Sequence, residues 1–510
     1  MQGKNRRNVL RMEIVVNSRE RSSGILMPVF SLPGKYGIGT LGKPAYDFVN
    51  FLKRSGQTYW QILPIGHTRN GSPYEVISAF AGSPYLIDLD LLTEEHLLEE
   101  EDLEAYVDED SHQVNYQRIF STRYDLLKKA WSNFFINKEF YDFKSQNQFW
   151  VNDYALFMAI NRSEKVAFGE ETWLKWEKDL IKRKPEVIEE YTEKLEDEMK
   201  FYIFVQYLFF KQWKKLKEYA NDNGIKIIGD IPIYVSLNSI DVWVNPKLFK
   251  LDNDFRPIAV SGCPPDQYSM DGQYWGHALY DWDSHKATGF KWWIQRLQES
   301  QKVYDMVRLD HFIGFERYWQ IPYGENSAKT GCWMKGPGEA FFEAIKKEVM
   351  DLEIVVEDLG DVGEDIISLR DKTGFKGMKV IIFACDSRVP TDYFPHNYDS
   401  NCIVYTSLHD TETVVGWMKD GIKEDTEKAI NYFALTPEEG YEWGIIRAAW
   451  SSVGAIAIAQ LQDVLGLDNK ARMNKPPFLD NNWTWRMDNS AITSSVEQAL
   501  LHMTKTYQRI

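Results

Sequence analysis

The chain has 510 residues, 44% of them hydrophobic and 26% charged, the composition of an ordinary globular protein long enough for a large barrel with insertions. Its net charge of −16 disfavours nonspecific binding to nucleic acid or to an anionic membrane. No apolar run approaches the roughly 20 residues of a membrane span, and the four scattered cysteines, Cys263, Cys332, Cys385 and Cys402, outline neither a zinc site nor a disulfide framework, so a reducing cytoplasm is the expected compartment.

The first residues, MQGKNRRNVLRMEIVVNSRE, are basic, but Arg11 and Glu13 interrupt the apolar core that a secretory signal needs. They read as an N-terminal extension over 1–22, with Met12 as an alternative start. From there the text turns to βαβ: GILMPVF (24–30) predicts a strand, LGKPAYDFVNFLKRSG (41–56) an amphipathic helix and TYWQILPIG (58–66) a second strand. After Leu89 acidic, helix-favouring sequence carries no strand signal and predicts a helical insertion over about 90–197, whose charge runs, such as EEYTEKLEDEMK (189–200), are solvated helix faces. A helix over 199–220, containing the aromatic run FYIFVQYLFF (201–210), leads through the turn NDNG into the strand IKIIGDIPIYV (225–235) with Asp230 inside it. The next stretch, 236–283, is rich in Pro and Gly and predicts a long loop. Its aromatics, Tyr268, Tyr274, Trp275, Tyr280 and Trp282, suit either sugar stacking or a small aromatic core beneath the loop.

YDMVRLDHFIGFERYW (304–319) then reads as a strand ending in charge. Arg308 and Asp310 alternate, so both side chains share one face. By itself the pair has two readings: a guanidinium keeping a nucleophilic carboxylate ionised, or a structural salt bridge. The pattern recurs in IVVEDLG (354–360) and IVYTSLHD (403–410), where apolar β runs close on Glu357 and Asp410, 47 and 53 residues further along. That spacing holds a loop, a helix and a return loop, the rhythm of parallel βα units. In a (β/α)8 TIM barrel, with large helical and loop insertions in a single catalytic unit over 23–510, these acids would converge at the C-terminal ends of different strands.

These segments, GDIPIYV, VRLDHFIGFE, VVEDLG and YTSLHD, resemble the four signature regions of the α-amylase clan as found in amylomaltases, the 4-α-glucanotransferases or disproportionating enzymes. The resemblance is collinear from about 23 to 486 and extends to SPYEVISAFAGSPYLIDL (72–89), GCPPDQYSMDGQYWG (262–276), WMKGPG (333–338), GFKGMKV (374–380) and LQDVLGLDNKARMN (461–474). It implies α-1,4-glucan transfer from a donor to the 4-hydroxyl of glucose or another maltooligosaccharide. The glucans would derive from starch or glycogen, and no metal or cofactor would be involved.

By this resemblance Asp310, Glu357 and Asp410 are the catalytic acids, and Ser72, Tyr74, Gln273, Trp275, Asp358 and Asn474 fall at glucan-contacting positions. Retaining chemistry needs one ionised and one protonated carboxyl about 5 to 5.5 Å apart. Arg308 would hold Asp310 ionised, and the apolar approach to Glu357 would raise its pKa. Asp410 with His409 would bind hydroxyls and strain the ring, while Asp230 holds the same sugar from the opposite wall. Taken singly, His409 also suits a structural hydrogen bond and Asp410 a helix N-cap. Four departures from the family pattern, Thr411, His277 with Ala278, Gln460, and NKPPF at 474–478, are expected along the glucan path. A hydrolase on the same scaffold and a noncatalytic glucan-binding or regulatory protein are the alternative classes. The complete set of acids speaks against the second.

Overall fold

Short runs of β-branched and other apolar residues, such as KIIGDI, EIVV and CIVY, form parallel strands buried on both faces, which is why they are near-continuously apolar. The computed structural model describes residues 21–108, 112–163, 173–266, 269–325, 327–388, 391–476, 478 and 481–510. The readings of 1–20 and of Tyr268 lie outside these. Twelve strands are present among the described residues: β1 Ser22–Leu26, β2 Tyr59–Gln61, β3 Lys226–Ile231, β4 Ala259–Cys263, β5 Gln273–Ala278, β6 Met306–Leu309, β7 Arg317–Pro322, β8 Cys332–Lys335, β9 Glu353–Val356, β10 Gly377–Val380, β11 Cys402–Tyr405 and β12 Ile456–Gln460. Eight of them form one parallel sheet in the order β10-β11-β12-β1-β2-β3-β6-β9. Its ends meet where Val356 N–H donates to the Lys376 carbonyl over 2.8 Å and Val355 bridges Lys376 in parallel. The fold is therefore a (β/α)8 barrel.

The strands pack where their sequences permit close approach. A methyl on Gly229 would stand 2.2 Å from the Tyr304 ring, so only glycine lets that ring lie against β3. The helix Lys43–Arg54 starts with a proline in its first turn and buries Ala45, Phe48, Val49, Phe51 and Leu52, the 3.6-residue stripe expected of it. Helices occupy the described part of the insertion: Tyr116–Ser132, Lys138–Gln146, Gln148–Ser163 and Pro185–Lys194. The long helix Glu196–Asp222 follows and carries two buried glutamines that clamp the segment after β2. Gln206 accepts from Gly82 N–H at 2.8 Å and donates to its carbonyl at 2.9 Å, while Gln212 does the same at Asp88, at 2.8 and 3.1 Å.

One expectation is corrected. The stretch 236–283 is more than loop: it supplies the helices Ile240–Val244 and Trp282–Ala287 and the strands β4 and β5. With β7 and β8 these strands form a four-stranded antiparallel sheet in the order β5-β4-β7-β8. β4 pairs with β5 on one side and, on the other, with β7 some fifty residues downstream beyond β6, and a register shift between Val260 and Gly262 breaks the alternation, so no local period marks them.

Candidate active site

Parallel register puts the charges together. Asp230 on β3 is the register partner of Arg308 on β6, and Arg308 in turn faces Val355 on β9, two residues before Glu357. The Arg308 side chain is almost completely buried. Its Nη1 donates to both oxygens of Asp230 at 2.8 Å and to Asp310 Oδ1 at 2.9 Å, while Nη2 donates to Glu357 Oε2 at 2.8 Å. One guanidinium thus serves three carboxylates, a like-charge cluster that only short, well-aligned hydrogen bonds make tolerable. His311 adds a third donor: its N–H reaches Glu357 Oε2 at 2.8 Å, from a backbone held at φ 48°, in the left-handed region that a side chain rarely adopts.

The acids differ in environment. Burial pushes the Glu357 carboxyl well above the usual range, and the nearby charge and hydrogen-bonding reach of Asp310 add to this, against the pull of Arg308 and the His311 N–H. Burial also raises Asp230, opposed chiefly by Arg308. Asp410 stands half-exposed at the rim. Partial desolvation acts to raise it, but His409, Asn474 and Arg308 outweigh this and hold it well below the carboxylate range. Carboxyls around one guanidinium driven apart, Glu357 toward the acid form and Asp410 toward the anion, are the pattern of an acid–base site.

Tyr74 links the two sides of the cluster. Its hydroxyl donates to Asp230 Oδ2 at 2.8 Å, so it can only accept from His409 Nε2, also at 2.8 Å. That places the proton on Nε2, from which Asp410 Oδ2 lies 3.4 Å away. The Tyr74 ring stacks on His409 at 5.7 Å and leans on Trp483. Ser72 sits at the turn before it, its Oγ accepting from Tyr74 N–H at 3.3 Å. On the opposite wall Gln273 and Trp275 project from one face of β5. Trp275 Nε1 donates to Gln273 Oε1 at 3.1 Å, and its ring meets the His311 imidazole edge-on at 4.8 Å.

Two predicted contacts have protein partners. Asn474 Nδ2 donates to Asp410 Oδ1 at 2.5 Å, and its N–H to the His409 carbonyl at 3.0 Å, so it holds the loop of these two residues. Asp358 is buried and accepts from Met378 N–H at 2.7 Å and from Arg370 at 2.6 Å, which fix its carboxylate beside Glu357. The departures also resolve individually. Gln460 and Ala278 are buried in strands rather than set along a glucan path. The Thr411 hydroxyl accepts from Leu408 N–H at 2.9 Å and closes its own turn. His277 pairs with Glu75 at 3.2 Å, tying β5 to the loop of Ser72 and Tyr74. The Lys475 ammonium lies over the Phe478 ring. Sequence reasoning missed the His311 N–H and the fully buried Asp463, whose LQD motif was the one available signal. Among the described residues no group of His, Cys, Asp and Glu could hold a metal ion, and no helix is long and apolar enough to cross a membrane.

An acid cluster at the C-terminal mouth of a (β/α)8 barrel, walled by aromatic and amide side chains, defines a carbohydrate-active barrel enzyme. The family model described as 4-alpha-glucanotransferase matches residues 27–492. The chain is 47% identical over 489 residues to a 4-alpha-glucanotransferase of Clostridium butyricum, covering 95% of this chain and all of that one. It is 46% identical over 500 residues to one of Streptococcus pneumoniae, covering 96% and 98%. A solved amylomaltase from Streptococcus agalactiae in complex with acarbose superposes with a TM-score of 0.92 at 41% identity, covering 96% of this chain and 99% of that one. The chain belongs to the 4-alpha-glucanotransferase family.

Proposed function

We propose that this 4-α-glucanotransferase moves α-1,4-glucan segments by retaining double displacement, with Asp310 as nucleophile and Glu357 as general acid and base. The observation that carries the reading is the single buried guanidinium of Arg308 shared by Asp230, Asp310 and Glu357, with Glu357 driven toward its protonated form. Asp310 attacks the anomeric carbon of the donor sugar while Glu357 gives its proton to the departing 4-oxygen, leaving a glycosyl ester on Asp310 and a shortened glucan. Glu357, now a carboxylate, takes the proton of an acceptor 4-hydroxyl as that oxygen attacks the same carbon, and Asp310 is released. Two inversions give net retention.

Asp410, held anionic by His409 and Asn474, binds ring hydroxyls and favours the flattened oxocarbenium shape. Tyr74 faces that sugar from the other side, braced by the buried Asp230, and Ser72, Gln273 and Trp275 extend the path. The substrates are α-glucans, and we assign maltooligosaccharides released from starch or glycogen as donors, with glucose or a maltooligosaccharide as acceptor. A cytoplasmic setting fits the four free cysteines, and the net charge of −16 suits no nucleic-acid partner.

Incubation of the pure protein with maltotriose tests the reading. A ladder of longer maltooligosaccharides with glucose or maltose, and almost no net gain of reducing ends, is expected. A steady rise in reducing ends with nothing longer than the trisaccharide would mean a hydrolase.

A further inference from the structure

Residues 406–414 connect β11 to the helix Val414–Asp420 and carry His409 and Asp410. Nearly every anchor of this loop comes from one other segment, 460–474, which follows β12. Asn469 reaches Glu412 at 2.9 Å; Arg472 donates to the Asp410 carbonyl at 2.9 Å; Asn474 holds both the His409 carbonyl and the Asp410 carboxylate. At the base of the loop lies Asp463, with no solvent exposure at all. Its Oδ2 accepts from the Thr406 hydroxyl at 2.6 Å and from the Ser407 hydroxyl, and its Oδ1 accepts from Val414 N–H at 2.7 Å. Gln460 completes the knot, donating to Ser407 Oγ at 2.6 Å.

We infer that Asp463 is a positioning residue of the transfer reaction: one buried carboxylate pins both ends of the Asp410 loop and so fixes where that carboxylate meets the sugar. A buried carboxylate is costly without full satisfaction, and this one is satisfied only by the two stems of the loop, Thr406 and Ser407 on one side and Val414 on the other. Among the described residues the other hydrogen bonds across the loop run between Leu408 and Thr411, within the turn at its tip, and none joins Thr406 or Ser407 to Val414. Burial raises the Asp463 carboxyl to about 6, which still leaves mainly the anion at neutral pH, as three donors require. A carboxylate that served packing alone would not need donors from both stems of a loop bearing a reacting group.

The inference rests on the role proposed for Asp410. Because that role is strongest in the transition state, loosening the loop lowers kcat more than it raises KM. A displacement near 1 Å costs on the order of 100-fold in rate. The test uses the full chain with maltotriose, comparing wild type, Asp463→Asn, Ser407→Ala, Asp410→Asn and the double variants of each with Asp410→Asn, all checked for folding by thermal melting. Asp463→Asn is expected to lose about 10- to 100-fold in kcat with KM within about threefold. The double variant should be no slower than Asp410→Asn alone, since a residue that acts through Asp410 has nothing left to position. If Asp463→Asn does not accumulate as folded protein, Ser407→Ala, with a smaller loss, carries the same non-additivity test. A folded Asp463→Asn of normal kcat beside an inactive Asp410→Asn, or losses that multiply in the double variant, overturns this inference alone. Normal turnover by Asp410→Asn overturns the Asp410 role and this inference with it.

Discussion

Arg308 is the residue through which the site has to be understood, because its two terminal nitrogens decide how three carboxylates share one positive charge. Asp310→Asn and Glu357→Gln are each expected to abolish turnover with the fold intact, since no neighbour can supply the covalent bond or the proton transfer. Near-normal maltotriose turnover in either variant refutes its assignment. The raised Glu357 also makes a pH prediction. As general acid it must start protonated, so kcat/KM falls on the alkaline side as pH rises through its folded-state pKa. The same shift bears on stability. A folded pKa above the unfolded one means that the folded chain keeps a proton the unfolded chain has released, so the stability from this group is complete below the ordinary carboxyl range and declines as pH rises through the folded value. Glu357→Gln removes that decline. The variant should melt higher than wild type at pH 7.5, with a smaller margin at pH 5; an equal or larger margin at pH 5 contradicts the account.

We assign the preference for transfer to the small antiparallel sheet. Its β5 sets Trp275 against His311, the residue after Asp310, with Gln273 bonded to the indole, and the His277–Glu75 pair ties the same strand to the loop of Tyr74. After the ester has formed, water and a sugar hydroxyl compete for one carbon, and orientation has to overcome the concentration of water. A partly exposed indole beside the nucleophile is suited to stacking the acceptor ring while shielding the ester. Trp275→Ala should therefore slow transfer more than hydrolysis, read as a higher ratio of new reducing ends to chain-lengthened products. An unchanged ratio would remove Trp275 from the acceptor platform.

For the molecule as a whole, Arg509 braces the bottom of the barrel, fully buried and, among the described residues, without a carboxylate partner. Its guanidinium donates to the carbonyls of Trp450 at 2.7 Å, Ser22 at 2.8 Å, Ser452 at 3.1 Å and Gly454 at 3.2 Å. It thereby caps the C-terminal end of the helix Tyr441–Ser451 and joins it to β1 and to the approach to β12. Arg509→Ala leaves the Trp450 and Ser452 carbonyls with Arg21, at 2.6 and 2.8 Å, but takes this donor from those of Ser22 and Gly454, and a loss of about 2 kcal/mol or more is expected in denaturant unfolding. The site lies at the opposite end of the strands, so kcat should not change. A loss below about 1 kcal/mol would show that water replaces the guanidinium there.

Parallel strands buried on both faces must be apolar along their length, so β3, β6, β9 and β11 were readable as runs, and the charges that end them stood out as Asp230, Arg308, Glu357 and the His409–Asp410 pair. Helix Lys43–Arg54 was readable for a similar reason: its burial stripe repeats within its own turns. What chain-local pattern cannot carry is pairing at a distance. The small sheet joins 259–278 to 317–335 across β6, and its strands are short, partly polar and bulged, so they read as loop. The partners of a polar side chain are equally non-local. Asp358 is singled out by the family resemblance alone, and nothing in the local sequence marks the partners Arg370 and Met378 that the fold sets against it. Gln460 looked like a change in the glucan path because it interrupts a motif, yet β12 buries it against Ser407. The sequence by itself determined which acids the strands would carry to one end of a barrel, since strand period and spacing follow from covalent geometry. Only the tertiary structure decided which of those groups face the cleft and which brace it, because that depends on donors that lie on other elements and that local pattern does not place.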